Sequence, residues 1–401
     1  MRKHKSDRVI GILTIILLGI GGVTIYAIGP MRANVMNSAY GTSYRENYFF
    51  LQQLRNVVLA LVALVVAFKV PYAWVKKIGK WVLGLGLLLC VTLMILAMIR
   101  SSAATCELGA CRWLNFGGLS LQPAEVLKLG LVLYLADLIA RRKAEGKLES
   151  LTDFWLPFAV ISGVSLVFVV VVQKDLGTGV SLMAIILAML FMSGVKMWQF
   201  GVTLLVIFLA GGVAILSSPH RMERLLTFNS AESSDSYHIE NALIAIGTGG
   251  FWGVGFGNSV QATGYLPESI NDSVFAVMGE TMGFVGLVAV VMCFTVLLLR
   301  VLKVANYLQD TQESLIVVGI FAWATAHVVV NIASMTGLIP LTGITLPLLS
   351  YGGTSMLFMA AAIGLVLQLS CYTSRESRVE EEVSSNTSKA CKQSPKRRLQ
   401  V

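Results

Sequence analysis

Ten nearly unbroken apolar stretches limit what this chain can fold into. They fall near residues 9–29, 49–68, 79–99, 123–140, 154–173, 176–195, 198–216, 273–299, 314–336 and 346–370. A helix rises 1.5 Å per residue, so about 20 residues cross a ~30 Å hydrocarbon layer. Hydrophobic residues make up 56% of the 401 and charged residues 13%, against about 25% charged in soluble domains. A soluble domain could not hide so much apolar surface, so the solvent is lipid. The expected fold is an all-α integral membrane protein of ten transmembrane helices. A large outer loop, about residues 217–272, separates the seventh from the eighth.

An even number of spans puts both termini on one side, and basic residues choose the side. With the N-terminus inside, fifteen Lys and Arg fall in inner segments, clustered at Arg2–Arg8, Lys69–Lys80, Arg141–Lys147, Lys196 and Arg300–Lys303. Seven fall outside: Arg32, Arg45, Arg100, Arg112, Lys174, Arg221 and Arg224. Both termini are therefore expected to be cytoplasmic. The net charge of +9 is mostly this topology signal and gives no reason to invoke nucleic acid. The basic start followed by the run from Val9 to Ile28 reads as an uncleaved signal anchor. Residues 1–373 read as one membrane domain. The tail 374–401, rich in Ser, Glu and Lys without apolar periodicity, reads as disordered. No internal repeat supports an inverted-repeat transporter.

The outer loop contains an apolar stretch too short to span, then GTGGFWGVGFGN from Gly247 to Asn258. Part of it is expected to dip into the membrane surface, where irregular backbone must be covered by protein or a wet cavity. This glycine-rich segment is neither a P-loop nor a dinucleotide fingerprint, since it lacks GK[ST] and follows no strand. His220, His238 and His327 show no metal spacing. No cofactor is assigned, and a divalent cation requirement stays open. Cys106 and Cys111 share one loop and are either disulfide-bonded or free.

The chemistry-bearing residues each carry two readings. Asp272, in YLPESINDSVFAVMGE (Tyr265 to Glu280), is either a helix cap or a general base at the outer boundary. Glu268 lies one turn before it, and Glu280 lies eight residues on, inside the apolar span. Nearby carboxylates and partial burial would raise one member's pKa. Lys128 lies in the fourth span and costs about 2.5–3.5 kcal/mol to insert at the centre. It pairs with Glu125, three residues back, or lines a cavity that receives pyrophosphate, and both can hold at once. Arg221 and Arg224 resist the positive-inside bias and are either solvated or phosphate-binding. Asp175, before Leu-Gly-Thr-Gly, caps a helix or faces the outer site. Ser350-Tyr351-Gly352-Gly353 reads as packing.

YLPESINDSVFAVMGE resembles the central signature of the SEDS family (shape, elongation, division and sporulation). LQPAEVLKL, QKDLGTG, HRMER, the stretch from Asn331 to Ser355 and the ten-span plan are similar to it as well. The wording GVGFGNSVQ…YLPE is more similar to the FtsW-like division branch than to the RodA-like elongation branch. The resemblance implies an inverting peptidoglycan glycosyltransferase of the cytoplasmic membrane that polymerises lipid II on its outer face, for septal wall synthesis. It implies Asp272 as the catalytic aspartate, with Lys128, Arg221 and Arg224 toward the substrate. A class B penicillin-binding protein transpeptidase, other divisome proteins and membrane lipid are the implied partners. The family commonly carries His two residues before the aspartate and Phe just after it. Ile270 and Ser273 stand there instead, and Gly264 replaces the acidic residue often found before YLPE. The rival readings are a lipid II flippase, which suits charged residues within spans, and a binding-only scaffold.

Overall fold

A computed structural model of the chain describes residues 5–107, 110–116, 119–216, 222 and 234–373. Each of the ten apolar runs contains a helix. These are α1 (Arg8–Tyr40), α2 (Tyr48–Lys69), α3 (Tyr72–Met98), α4 (Pro123–Ala144), α5 (Leu151–Val172), α6 (Leu176–Ser193) and α7 (Met197–Leu216), then α9 (Val274–Tyr307), α10 (Thr311–Met335) and α11 (Gly353–Leu369). The last run, 346–370, becomes helical only from Gly353, so residues 350–352 lie ahead of the span. The short helix α8 (Ser234–Thr248) lies in the outer-loop region.

Among the described residues, nine helices are long and apolar enough to cross a membrane. The remaining run, 123–140, forms α4, which has the length at 22 residues but carries Glu125, Lys128 and Asp137. Those charges are tolerable because α4 lies inside the bundle. It packs against α3, α6, α10 and α11, and most of its side chains are buried. The approach to α3 is close, since a Cβ on Gly130 would sit 2.6 Å from the Leu83 backbone. Small residues at such crossings let helix backbones meet without hydrocarbon between them. At the periphery, α7 leaves Trp198, Val202, Leu205 and Phe208 exposed, the reverse of a soluble surface and the natural state of a lipid-facing helix.

The expectation of a purely helical fold misses one element. Between α3 and α4 lies a three-stranded antiparallel sheet, β1 (Ala104–Glu107), β2 (Ala110–Phe116) and β3 (Leu119–Leu121). β1 and β3 are too short to show alternation, and β2, ACRWLNF, does not alternate. Cys106 and Cys111 face each other across β1 and β2 and form a disulfide.

Helix α9 is broken. Gly283 adopts φ 67° and ψ −168°, a conformation open to glycine alone. A break frees backbone groups that lipid cannot satisfy. The glycine-rich segment satisfies them. Val254 and Gly255 donate N–H bonds to the carbonyls of Glu280 and Thr281 at 2.9 and 3.1 Å. Phe284 and Val285 donate to the carbonyls of Gly250 and Phe251 at 2.9 and 3.3 Å. This backbone-to-backbone packing leaves no room for side chains: a Cβ on Gly253 would lie 2.3 Å from the Thr281 carbonyl oxygen. The segment thus runs beside α9 roughly 15 Å along the helix from Asp272.

Candidate active site

The YLPESIND segment turns tightly before α9. Glu268 sits in the left-handed region at φ 47°, and its carbonyl accepts N–H bonds from Asn271 at 2.9 Å and Ser273 at 3.3 Å. Its side chain stays at the surface, where it accepts from Asn271 Nδ2 and meets the Arg32 guanidinium at 3.4 Å. The turn points Asp272 inward, and that residue is only 9% exposed. The N-cap position of α9 belongs to Ser273, not to Asp272. Burial, and next the Glu268 carboxylate, push the Asp272 carboxyl up to about 7. Its own N–H and the N–H and hydroxyl of Ser273 pull it part of the way back.

Three contacts from distant elements hold this turn. Asn331 of α10 donates from Nδ2 to the Asp272 carbonyl at 2.7 Å and to the Ile344 carbonyl at 2.7 Å. Tyr351 donates its N–H to the Ile270 carbonyl at 2.8 Å, so the Ser-Tyr-Gly-Gly stretch does more than pack helices. His238 of α8 places Nε2 2.6 Å from Ser273 Oγ. Sequence reasoning set His238 aside for want of metal spacing and met Asn331 and Ser273 only as motif positions, with no role at the site. The available signal for Asn331 was a lone amide following Val328, Val329 and Val330, costly in lipid unless bonded.

The other candidates divide. Glu280 is buried on α9, where Oε1 accepts from the Val260 N–H at 2.8 Å and Oε2 accepts from Ser259 Oγ. It anchors the short helical turn Gln261–Thr263 that leads into YLPE. Asp175 is the N-cap of α6, accepting from Thr178 N at 3.0 Å and Thr178 Oγ1 at 2.9 Å. Gln122, just ahead of α4, donates at 3.2 Å to Oδ2, the oxygen that also accepts from the Thr178 hydroxyl.

Lys128 is fully buried and Glu125 is 2% exposed, with 2.8 Å between Nζ and Oε1. Of the two readings of Lys128, this is the internal pair. The Lys128 ammonium also lies 3.0 Å from His327 Nε2, and Trp323 Nε1 donates to the same nitrogen at 3.2 Å. Two donors on one lone pair make His327 a neutral imidazole with its proton on Nδ1, facing the Thr345 carbonyl at 3.4 Å. His327 and Asn331 are four residues apart on α10, so this buried cluster stands one turn from the clamp on Asp272. Arg221 and Arg224 lie outside the described residues. Among the described residues, no group of three or more His, Cys, Asp or Glu could hold a metal ion.

A helical membrane bundle with a buried carboxyl, raised in pKa, just ahead of a broken helix defines a class: polytopic membrane proteins with an acidic boundary site. Residues 8–375 match the FtsW/RodA/SpoVE family of cell cycle proteins, and the chain belongs to that family. It is 32% identical to stage V sporulation protein E of Bacillus subtilis, over 93% of this chain and 99% of that one. It is 33% identical to the probable peptidoglycan glycosyltransferase FtsW of Thioalkalivibrio sulfidiphilus, over 89% of this chain and 88% of that one. The fold is shared with the rod shape determining protein RodA of Thermus thermophilus, at TM-score 0.65 and 23% identity over 92% and 98% of the two chains. A chain of a peptidoglycan synthase complex superposes at TM-score 0.70 and 23% identity, over 91% and 97%.

Proposed function

We propose that this protein is a peptidoglycan glycosyltransferase that polymerises lipid II, with Asp272 as the general base. The observation that carries the reading is the Asp272 carboxyl, buried at the start of a transmembrane helix and raised to about 7. A base with pKa near the working pH is ionised often enough to act and basic enough to accept a proton. The carboxylate takes the proton of the acceptor sugar hydroxyl as that oxygen attacks the donor's anomeric carbon. The bond to the pyrophosphate oxygen breaks with inversion, and the prenyl pyrophosphate leaves with the electron pair. Arg221 and Arg224 are the cations we assign to the leaving group. Lys128 and Glu125 neutralise each other, so we assign them to bracing α10 behind the site.

The chain sits in the cytoplasmic membrane with both termini inside, on the basic-residue count, and acts on the outer face. The FtsW names of the relatives support the division branch and septal wall synthesis. The similarity to a chain of a peptidoglycan synthase complex supports a class B penicillin-binding protein as partner, with other divisome proteins alongside.

The test is polymerisation of purified lipid II by the purified protein with its transpeptidase partner, with and without a chelator. Asp272→Asn is expected to lose about 10²–10⁴-fold in rate while still inserting. Normal strands from that variant would refute the base. Movement of lipid II across proteoliposomes with no strands from any pairing would favour the flippase instead.

A further inference from the structure

We infer that His238 is a positioning residue for Asp272, acting through the hydroxyl of Ser273. The inference rests on Asp272 being the base.

The geometry fixes the direction of each bond. The Pro267 carbonyl lies 2.9 Å from Ser273 Oγ and can only accept, and Asp272 Oδ1 lies 3.4 Å from the same oxygen. Ser273 has one proton to give to these two acceptors. The third neighbour, His238 Nε2 at 2.6 Å, is therefore the donor, and the imidazole carries its proton on Nε2. Ser273 is wholly buried and His238 is 8% exposed, so water does not compete for these bonds. His238 pins the oxygen, and the hydroxyl proton turns between the Pro267 carbonyl and Asp272.

That turn tracks the base. When Asp272 is ionised, its charge draws the Ser273 proton toward Oδ1, because hydrogen bonds to charged acceptors are about twice as strong as neutral ones. After the carboxyl has taken the sugar proton, the hydroxyl returns to Pro267. The device stabilises the ionised base against its burial and against Glu268. It also gives a joint account of two departures in the signature. Ile270, in the place where the family commonly has histidine, is a buried apolar side chain, and the small Ser273 leaves its oxygen facing a histidine from another helix. The titratable groups that face His238 are Asp235 on its own helix and Glu268 on the facing turn, with Asp272 beyond Ser273. Burial holds the imidazole below its ordinary value despite those two carboxylates, so it stays neutral and keeps its tautomer at neutral pH.

The experiment is the pH profile of kcat/KM for lipid II polymerisation by the complex with its transpeptidase partner. Variants are Ser273→Ala, Ser273→Thr, His238→Phe and His238→Gln. The expected result is that Ser273→Ala and His238→Phe move the acid limb up by about one pH unit, with activity recovering at high pH. Ser273→Thr keeps the hydroxyl and His238→Gln keeps an N–H donor, so both stay near wild type. A loss by one constant factor at every pH, or an unmoved limb, overturns the inference. Asp272→Asn run beside them separates the two claims: if it polymerises normally, the base assignment fails and the inference fails with it. If it is inactive while the limb stays fixed in the other variants, only the role of His238 fails. Should Ser273→Ala not insert, the protonated-carboxyl infrared band that Asp272→Asn removes is titrated in wild type and His238→Phe. That band must persist to higher pH in His238→Phe, and identical titrations overturn the inference.

Discussion

The side-chain amide of Asn331 lies 2.7 Å from the main-chain carbonyl of Asp272, across 59 residues of sequence. The same nitrogen spans to the Ile344 carbonyl at 2.7 Å, so one wholly buried amide ties α10 to both segments that border the site. Asn331→Leu keeps the volume and removes both bonds, leaving two buried carbonyls without a donor. Each such loss costs about 1–3 kcal/mol. The variant is expected to melt earlier in detergent and to polymerise at least about tenfold more slowly, because the base sits on the loosened backbone. Melting and turnover measured on one preparation check both.

The Asp272 carboxyl at about 7 sets two pH dependences of opposite sign. Activity needs the ionised form, so it rises with pH through about 7 and is roughly a tenth of its plateau one unit below. Stability runs the other way. The folded state holds the proton more tightly than the unfolded chain, whose carboxyl has the ordinary 3.8. The group's favourable contribution is thus lost as pH rises from that value through about 7. Melting temperature against pH, compared between wild type and Asp272→Asn, isolates this loss, which the variant lacks.

Glu268 raises the Asp272 carboxyl by its charge, from the exposed side of the same turn. Glu268→Gln removes that charge and is expected to move the acid limb of the activity profile downward, opposite to Ser273→Ala. The limb position in the two single variants checks the pair of signs.

Breaking the Lys128–Glu125 pair from one side leaves an uncompensated buried charge, at a cost of about 3–5 kcal/mol. Glu125→Leu and Lys128→Met are each expected to be strongly destabilised, and the double variant to recover much of the loss. A double-mutant cycle on melting measures the coupling. If Lys128 instead met the substrate directly, the double variant would fold well yet lose its affinity for lipid II.

Gly283→Ala meets two obstacles. Its φ of 67° strains any side chain, and the added Cβ would lie 2.4 Å from the Gly253 nitrogen. The glycine-rich segment would have to leave α9, exposing the four backbone bonds that cover the break. The variant is expected to be destabilised by more than about 1 kcal/mol, and proteolysis between residues 249 and 258 checks for the released segment.

Much of the fold was legible because lipid makes a simple demand. Runs of about 20 apolar residues must become helices, since only helices satisfy their own backbone in hydrocarbon. The i,i+3 spacing of Glu125 and Lys128 offered their ion pair as one of two readings. The small sheet was not legible, because β1 and β3 are only four and three residues long and β2, ACRWLNF, does not alternate apolar with polar. Asp272 was legible as a choice between cap and base. Position along the chain could not decide it, because the N-cap falls one residue on, at Ser273, where the turn that bonds back to the Glu268 carbonyl ends.

The sequence by itself determined the helices, their lipid setting and the acidic turn that precedes α9, because each follows from composition and spacing within a few residues. Tertiary structure decided which side chains reach that turn. Asn331 and His238 come from helices 59 and 35 residues away from their partners. Their meeting depends on how helices cross and where α9 breaks, and no local periodicity encodes a crossing. The burial that raises Asp272 has the same origin: a carboxylate reads alike in any sequence, and only packed neighbours remove the water that keeps it ordinary.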